Sequence, residues 1–298
     1  MLNKFVSNYK DITGKDDIYA CPICLKEFPV IKGQMPAGLT KEHVPPHSLG
    51  GGVKCYTCST CNNTFGAKAD SHLLKGIQLN QKTFFLSLKE QKIRLFSQTG
   101  EMFQGHVSTN EDGTLTMHHS KKNNHPSKLE TFIGTVREGS ILNFIPIVPK
   151  VDLHLLNVGL LKSAYLFAFE MIGYEIAFNS NYDIVREQLL NPDDKIYFEN
   201  TILRDAFIPG QEGVYFSEIG GIKFICVVLK LKYHHSEIFF GIQLPHTDSD
   251  SLLIDVISYI QSYLSFSSGF SENSISYIDR AMAKQFIEKL TSTFTKVQ

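Results

Sequence analysis

The sequence predicts an α+β fold in two parts, a small metal-dependent module over residues 1–80 and a larger mixed α+β domain over residues 81–298. The first observation is that five of the six cysteines lie between Cys21 and Cys61. The second is that this stretch is rich in Gly and Pro and has little periodicity. It therefore needs an added cross-link, such as a bound metal ion, to offset the conformational entropy lost on folding. The third is that the residues after this stretch have hydrophobic periodicities typical of strands and helices.

Composition and charge favour an ordinary soluble globular protein. Apolar residues make up 43% and charged residues 20% of the 298 residues, and the net charge of −1 gives no general attraction to nucleic acid. The first ninety residues hold eleven Lys and seven Asp or Glu, which permits local phosphate binding. No signal-peptide pattern opens the sequence, and the apolar run Val158–Phe169 is interrupted by Lys162 and too short to span a bilayer. We therefore expect a cytoplasmic protein without a membrane partner.

The segment before residue 150 predicts a helix and then a sheet. Residues 71–90 have apolar spacing typical of a helix, which would connect the module to the larger domain. Residues 92–133 alternate with period two and carry Thr-Gly and Asp-Gly turn signals, which predicts an antiparallel meander. Residues 120–128 are polar and include Pro126, so they are expected to form an exposed loop.

The segment after residue 150 predicts helices around a second set of strands. Residues 152–171 have the strongest helical pattern, and Gly173 provides a stop. A second helix is predicted over residues 182–190, followed by four short strands over residues 196–243. Two further helices are expected to close the chain, one from Leu252 and one from Ser276.

Two CxxC pairs predict a structural zinc site of four thiolates. The pairs are Cys21 with Cys24 and Cys58 with Cys61, and in a chain without a secretory signal such pairs favour metal binding over disulfides. Each pair would form a tight turn, and the binding energy of the ion would stabilise the fold. Cys55 and Cys58 are also a CxxC pair, so Cys55 is either a spare thiol or a rival ligand.

The dipeptide Glu42-His43 lies between the two pairs and has the residues that phosphodiester hydrolysis requires. An imidazole exchanges protons near neutral pH, so His43 is the candidate base that deprotonates water. The carboxylate of Glu42 offers a hard oxygen ligand for Mg²⁺ or Mn²⁺, and an Asn oxygen after Cys61 offers a second. Few protein ligands leave room on the ion for phosphate oxygens and water.

These motifs together resemble the HNH (ββα-metal) endonuclease superfamily, in the branch with CxxC, Glu-His-x-x-Pro-x-Ser-Leu-Gly-Gly and CxxC-Asn-x-x-Phe-Gly. The resemblance covers roughly residues 18–75. It implies two strands and a helix around the metal, His43 as general base, and Glu42 and Asn62 as ligands of the catalytic ion, with Asn63 as a rival to Asn62. It also implies that Gly50-Gly51 forms the turn before the second strand.

Three features depart from the family pattern or lie outside it. The family's middle Asn has no match between Gly52 and Thr57. His47 is either a second phosphate or metal contact or an ordinary loop histidine. The helix around Lys162 is similar to a segment found downstream in this branch, without a chemical role that the residues indicate. The adjacent pairs His118-His119 and His234-His235 would point apart in a strand, so they are interpreted as surface or half-buried histidines.

The resulting hypothesis is a metal-dependent endonuclease that hydrolyses DNA phosphodiester bonds. Family analogy suggests a restriction-like or phage-defence role, with the C-terminal domain selecting a partner protein or forming a homodimer. One alternative is a zinc-knuckle protein that binds nucleic acid without cleaving it. Another is a purely structural zinc module that serves an interaction domain.

Overall fold

The structure, a computed structural model, is mixed α+β, as predicted from the sequence. It describes residues 1–80, 91–96, 102–110, 112, 114–119, 121–140, 143–147, 150–196, 202–204, 211–219, 222–233, 236–246 and 295–296. The two predicted C-terminal helices and the pair His234-His235 lie outside the described residues.

The contacts divide the chain into two compact units, and these do not follow the predicted boundary at residue 80. One unit combines Met1–Gly76 with Val151–Gln298, and the other is Ile77–Lys150. The cysteine-containing segment therefore shares its core with residues far along the chain. The short, Gly-rich segment obtains from that core the burial it cannot supply itself.

The first part of the first unit contains a helix, two small hairpins and two consecutive helices. In chain order these are α1 (Leu2–Thr13), β1 (Ile18–Ala20), β2 (Glu27–Pro29), β3 (Leu39–Val44), β4 (Gly52–Cys58), α2 (Ser59–Ala67) and α3 (Ala69–Asn80). Strand β1 pairs with β2 and β3 pairs with β4, both antiparallel. Helix α3 confirms the helical prediction up to residue 80, and residues 81–90 lie outside the described part.

The second unit is a four-stranded sheet with one helix. The strands are β5 (Gln91–Phe96), β6 (Met102–Thr109), β7 (Leu115–His119) and β8 (Asn143–Pro146), in the order β7-β6-β5-β8. The antiparallel pairing of β5, β6 and β7 confirms the meander, and His118 and His119 are exposed as predicted.

The exposed loop predicted at residues 120–128 is wrong in its last part. Helix α4 (Pro126–Thr135) begins there, with Pro126 in its first turn. Proline fits the first turn because its missing N–H has no partner to lose there. Leu129 and Phe132 of this helix pack against Ile93, Leu95 and other apolar side chains of the sheet.

Helix α5 (Leu153–Ile172) is the central helix of the first unit. The Asp152 side chain accepts hydrogen bonds from two backbone amides of its first turn, which caps the helix, and it ends at Gly173 as predicted. Every residue from Val158 to Phe169 is buried. Of the described residues, this helix is long and apolar enough to cross a membrane, but 67% of its most apolar window is buried inside the structure. That burial is typical of a core helix.

Two glycines allow α5 to approach α3 closely. A Cβ atom on Gly159 would lie 3.1 Å from Cβ of Leu73, and one on Gly76 would lie 2.1 Å from Cδ1 of Leu156. Larger side chains at these positions would push the two helices apart. The glycines therefore fix where α5 passes behind the cysteine-containing segment.

The remainder of the first unit is two short helices and a sheet. These elements are α6 (Tyr174–Ala177), α7 (Asp183–Leu190), β9 (Ile202–Arg204), β10 (Gly213–Ile219), β11 (Ile222–Tyr233), β12 (Ser236–Pro245) and β13 (Thr295–Lys296). The strands are antiparallel neighbours in the order β13-β10-β11-β12-β9. Helix α7 and the four strands within residues 202–245 confirm the prediction for that region, and Cys226 is a buried apolar residue of β11, as expected.

Candidate metal centre and active site

The first cysteine pair lies on a tight turn between β1 and β2. The backbone amide of Leu25 donates to the Cys21 carbonyl at 2.8 Å, and the Cys21 amide donates to the Lys26 carbonyl at 2.9 Å. Leu25 has a φ of 57°, in the left-handed region that tightens the turn. This geometry directs Cys21 and Cys24 toward one point.

The second cysteine pair lies where β4 meets α2. Cys58 is the N-cap of α2, and its Sγ accepts a hydrogen bond from the Cys61 amide at 3.4 Å. The Cys58 amide in turn donates to Sγ of Cys21 at 3.4 Å. Amide donors and the positive end of a helix both favour the thiolate, which is the form that binds metal.

The four sulfur atoms form one cluster that fits zinc. Ligand atoms of Cys21, Cys24, Cys58 and Cys61 all lie within 4.8 Å of one another, and Sγ of Cys24 is 3.7 Å from Sγ of Cys58. A tetrahedral site with Zn–S bonds of about 2.3 Å requires sulfur atoms about 3.8 Å apart. The donor set and the spacing therefore suit a structural zinc ion, which would hold the two turns together.

The cluster also favours ionised sulfur. Hydrogen bonds from Cys21 lower the pKa of Cys24 to about 2 and that of Cys58 to about 6. The pKa of Cys21 itself is raised, foremost by its hydrogen bond with Cys24. The lowered pKa of Cys24 and Cys58 favours the thiolate, which is the form that binds a metal ion.

Tyrosines from the central helices hold the first cysteine turn. The Tyr165 hydroxyl donates to the Pro22 carbonyl at 2.6 Å. The Tyr174 hydroxyl donates to the Ala20 carbonyl at 2.5 Å and accepts from the Ala20 amide at 2.7 Å. Both rings are fully buried, so the position of the turn depends on α5 and α6. No sequence pattern indicates these long-range contacts.

Cys55 lies outside the cluster, as a spare thiol. It is fully buried and pairs with Glu42 across the hairpin, away from the four ligand sulfurs. Burial raises its pKa well above the ordinary value, which disfavours the thiolate form. The rival CxxC pairing of Cys55 with Cys58 is therefore not adopted.

The turn of the β3–β4 hairpin depends on glycine, as the resemblance implied. Gly50 has a φ of 85°, and a Cβ atom on Gly51 would lie 1.5 Å from the Pro45 carbonyl oxygen. The chain must pass through this point to enter β4 at Gly52. The turn keeps the end of β3, where His43 lies, in a defined place.

His43 lies at the accessible end of β3. It is half-buried, and its ring centroid is 5.2 Å from that of His47 in an edge-to-face arrangement. A register shift falls between Glu42 and His43 in the pairing with β4. Such a bulge re-aims the side chains beside it. The structure thus places two imidazoles together at the end of the hairpin.

Glu42, which the sequence predicts as a ligand of the catalytic ion, is buried and has a partner at each carboxylate oxygen. Its side chain is 3% exposed. One carboxylate oxygen accepts a hydrogen bond from the Thr57 hydroxyl at 2.8 Å. The other lies 2.8 Å from Nζ of Lys162. Because side chains alternate between the two faces of β3, the Glu42 carboxylate points inward toward α5, where it contacts Lys162.

Lys162 lies between two carboxylates in the core. Its Nζ is 2.9 Å from Oδ2 of Asp70 as well as 2.8 Å from Glu42, and it lies over the Phe65 ring at 5.1 Å. Burial alone would lower the pKa of Lys162, but the charges of Asp70 and Glu42 outweigh it, and the pKa is raised. The sequence signal for this group is a lone lysine inside the most apolar helix of the chain.

Asn62 packs against the hairpin, whereas Asn63 is exposed. The Asn62 side-chain amide donates to Oγ1 of Thr40 at 2.9 Å, and the Thr40 hydroxyl donates to the Thr57 carbonyl at 3.1 Å. Asn62 is therefore the asparagine that faces the strands, on the side where Thr57 meets Glu42. The structure therefore brings the Asn62 side chain to the β3–β4 hairpin.

The predicted divalent-ion pair of Glu42 and Asn62 does not fit an ion as these groups stand. Both carboxylate oxygens of Glu42 already have partners, Thr57 and Lys162. The ammonium group of Lys162 would repel a divalent ion bound to the same carboxylate. The chemistry that remains accessible at this end of the hairpin is that of the histidines.

Together, β3, β4, α2 and the four-cysteine cluster form a ββα module. Residues 21–78, which include all of these elements, match the family model described as HNH endonuclease. The match confirms the resemblance inferred from the motifs, and it points to an endonuclease in general, with nucleic acid as its substrate. No curated protein and no solved structure matches the chain.

Proposed function

We propose that this chain is an HNH-type endonuclease that hydrolyses DNA phosphodiester bonds. The observation that carries the proposal is the placement of His43 at the accessible end of a hairpin fixed by the cysteine cluster. The family match over residues 21–78 supports the same class of activity.

In the proposed reaction His43 takes a proton from a water molecule whose oxygen attacks the phosphorus. The bond from phosphorus to the 3′-oxygen breaks, and the leaving oxygen takes up a proton from a solvent water molecule. The products carry a 5′-phosphate and a 3′-hydroxyl. His47 is placed beside His43 and is the candidate contact for the phosphate.

The sequence predicts that this hydrolysis depends on Mg²⁺ or Mn²⁺. Glu42 is engaged by Lys162 and Thr57, so we assign no step to an ion at that residue. A restriction-like or phage-defence role is a proposal from family analogy, and a homodimer or partner protein through the C-terminal domain is a further proposal. A cytoplasmic location is proposed from the lack of a signal-peptide pattern in the sequence. Cutting both strands would require a dimer or two successive nicks, since one module holds one site.

A plasmid-nicking assay tests the catalytic role of His43. Zinc-loaded wild type, His43→Ala and the control His118→Ala are compared with Mg²⁺, with Mn²⁺ and without an added ion. His118 is an exposed histidine of the second unit. We expect nicking by the wild type and the control, and a loss of about a hundredfold or more in His43→Ala. Cleavage that survives in His43→Ala would remove the catalytic assignment.

The second candidate is a nucleic-acid-binding protein that does not cleave. The burial of Glu42 against Lys162 favours it, because the predicted ligand of the catalytic ion is engaged elsewhere. A gel-shift experiment with the same proteins separates the two. DNA binding by both the wild type and His43→Ala, without nicking by either, would support the second candidate.

A further inference from the structure

A positively charged lysine side chain lies against the interior side of the β3–β4 hairpin. The side chain of Lys162 is 2% exposed, and its ammonium group lies within 2.9 Å of carboxylate oxygens on both Glu42 and Asp70. The three residues come from β3, α3 and α5. One buried cation therefore joins the hairpin to two helices.

The remaining contacts of this group complete the shell around the ammonium. The second oxygen of Glu42 accepts from Thr57, and the Phe65 ring lies 5.1 Å from Nζ of Lys162. An aromatic face attracts a cation, and an ammonium group has three donors for such partners. This is the arrangement of a cation-binding site, with the cation supplied by a side chain.

We propose that Lys162 is the resident cation of the Glu42 position, and that the chain binds no divalent ion through Glu42. A second cation at this carboxylate would have to lie beside the ammonium, and the two like charges repel. Lys162 is accordingly a positioning residue. It fixes Glu42, and through the backbone of β3 it fixes His43, the next residue.

The inference takes the location of the site from the proposed function, but its test does not require cleavage. Mn²⁺ is titrated into the zinc-loaded full chain, and bound Mn²⁺ is measured by electron paramagnetic resonance. The proteins are wild type, Glu42→Gln, Lys162→Met and the double variant Lys162→Met/Glu42→Gln. Zinc content is checked before and after, since Mn²⁺ prefers oxygen ligands to thiolates.

We expect wild type and Glu42→Gln to bind Mn²⁺ equally weakly. Lys162→Met leaves the carboxylates of Glu42 and Asp70 facing one another, and Oδ1 of Asp70 is already buried without a hydrogen-bond partner. This variant should bind one Mn²⁺ roughly a hundredfold more tightly than wild type, because a contacting like charge has been removed. The double variant should lose that gain.

Two results would overturn the proposal. One is a wild-type Mn²⁺ site that Glu42→Gln weakens, which would show that an ion and Lys162 share the carboxylate. The other is a folded Lys162→Met that gains no Mn²⁺ site, which would show that Lys162 is not what keeps the ion out. If circular dichroism shows that Lys162→Met does not fold, the proposal is tested by comparing Mn²⁺ binding of the wild type with that of Glu42→Gln. Neither result depends on whether the chain nicks DNA.

Discussion

The two charged clusters on the β3–β4 hairpin are held together in opposite ways. Where Leu39 pairs with Cys58, four cysteines offer ligands to an ion that must come from solution. Where Glu42 pairs with Cys55, the cation is Lys162, which the chain carries in its central helix. The four-cysteine cluster therefore anchors the hairpin at one point, and the buried ion pair of Lys162 anchors it at the other.

Because of this difference, a chelator is expected to affect the cysteine cluster and to leave the ion pair of Lys162 in place. Removing a zinc ion from the four cysteines would take away the common anchor of the two turns. The Lys162 contacts are unaffected by a chelator because no metal takes part in them. We therefore expect one component of the module's stability to depend on metal and one to be independent of it, and each can be tested alone.

The largest expected effect is the loss of zinc in Cys21→Ser. Structural zinc provides an apparent binding energy of about 10–16 kcal/mol in small zinc domains, so we expect no bound zinc and unfolding of both cysteine turns. Zinc-to-protein ratio and urea unfolding measure this. Cys55→Ser is the control, because Cys55 is equally buried but outside the cluster. It should keep one zinc per chain and lose about 1–3 kcal/mol. Equal zinc loss in both variants would contradict the assigned ligand set.

The next effect is the destabilisation caused by Lys162→Met. Removing one partner of a buried ion pair leaves the carboxylates of Glu42 and Asp70 unpaired, which costs about 3–5 kcal/mol. Lys68→Met is the matched control, since Lys68 pairs with Asp193 at the surface, where the side chains are 44% and 62% exposed. That pair is worth about 0–1 kcal/mol. Similar free energies of unfolding for the two variants would argue against a charged Lys162 in the core.

The smallest effect is the pH dependence of the Lys162 contribution. The folded-state pKa of Lys162 is raised above 10.5. Its contribution is therefore fully present below that pH and is lost as pH rises through the folded-state value. The charged and titratable groups facing it are Glu42, Asp70 and Cys55.

Urea unfolding of wild type and Lys162→Met between about pH 7 and pH 11 provides the measurement. We expect a constant difference in the free energy of unfolding up to about pH 10 and a decline above it. A decline that is already complete at neutral pH would mean that burial dominates and that the lysine is neutral in the fold.

The parts of the fold that sequence predicted are those encoded by neighbouring residues. The CxxC spacing predicted the four-cysteine cluster, and the apolar spacing with Gly173 predicted α5 to within a residue or two at each end. The pairing of Glu42 with Lys162 was not predicted, because the partners lie far apart in the chain and periodicity contains no information about tertiary contacts. Helix α4 was missed because Pro126 and its polar neighbours have the composition of a loop.

The domain boundary shows the same limit. The CxxC pairs and the loop composition indicated an end at residue 80, yet the cysteine turn is hydrogen-bonded to Tyr165 and Tyr174. A local pattern identifies a motif, but the elements that bury it come from tertiary packing. The inward direction of Glu42 is a second case, because the alternation of β3 leaves open which face meets the core.

The arrangement of the two compact units makes Ile77–Lys150 an insertion into the first unit. The chain leaves that unit at Gly76 and returns at Val151, and a Cβ atom on Gly76 would lie 3.7 Å from the Val151 side chain. The points of exit and re-entry are therefore adjacent. Because the entropic cost of closing a loop rises only slowly with its length, the length of this segment is expected to have little effect on the stability of the core that holds the cysteines.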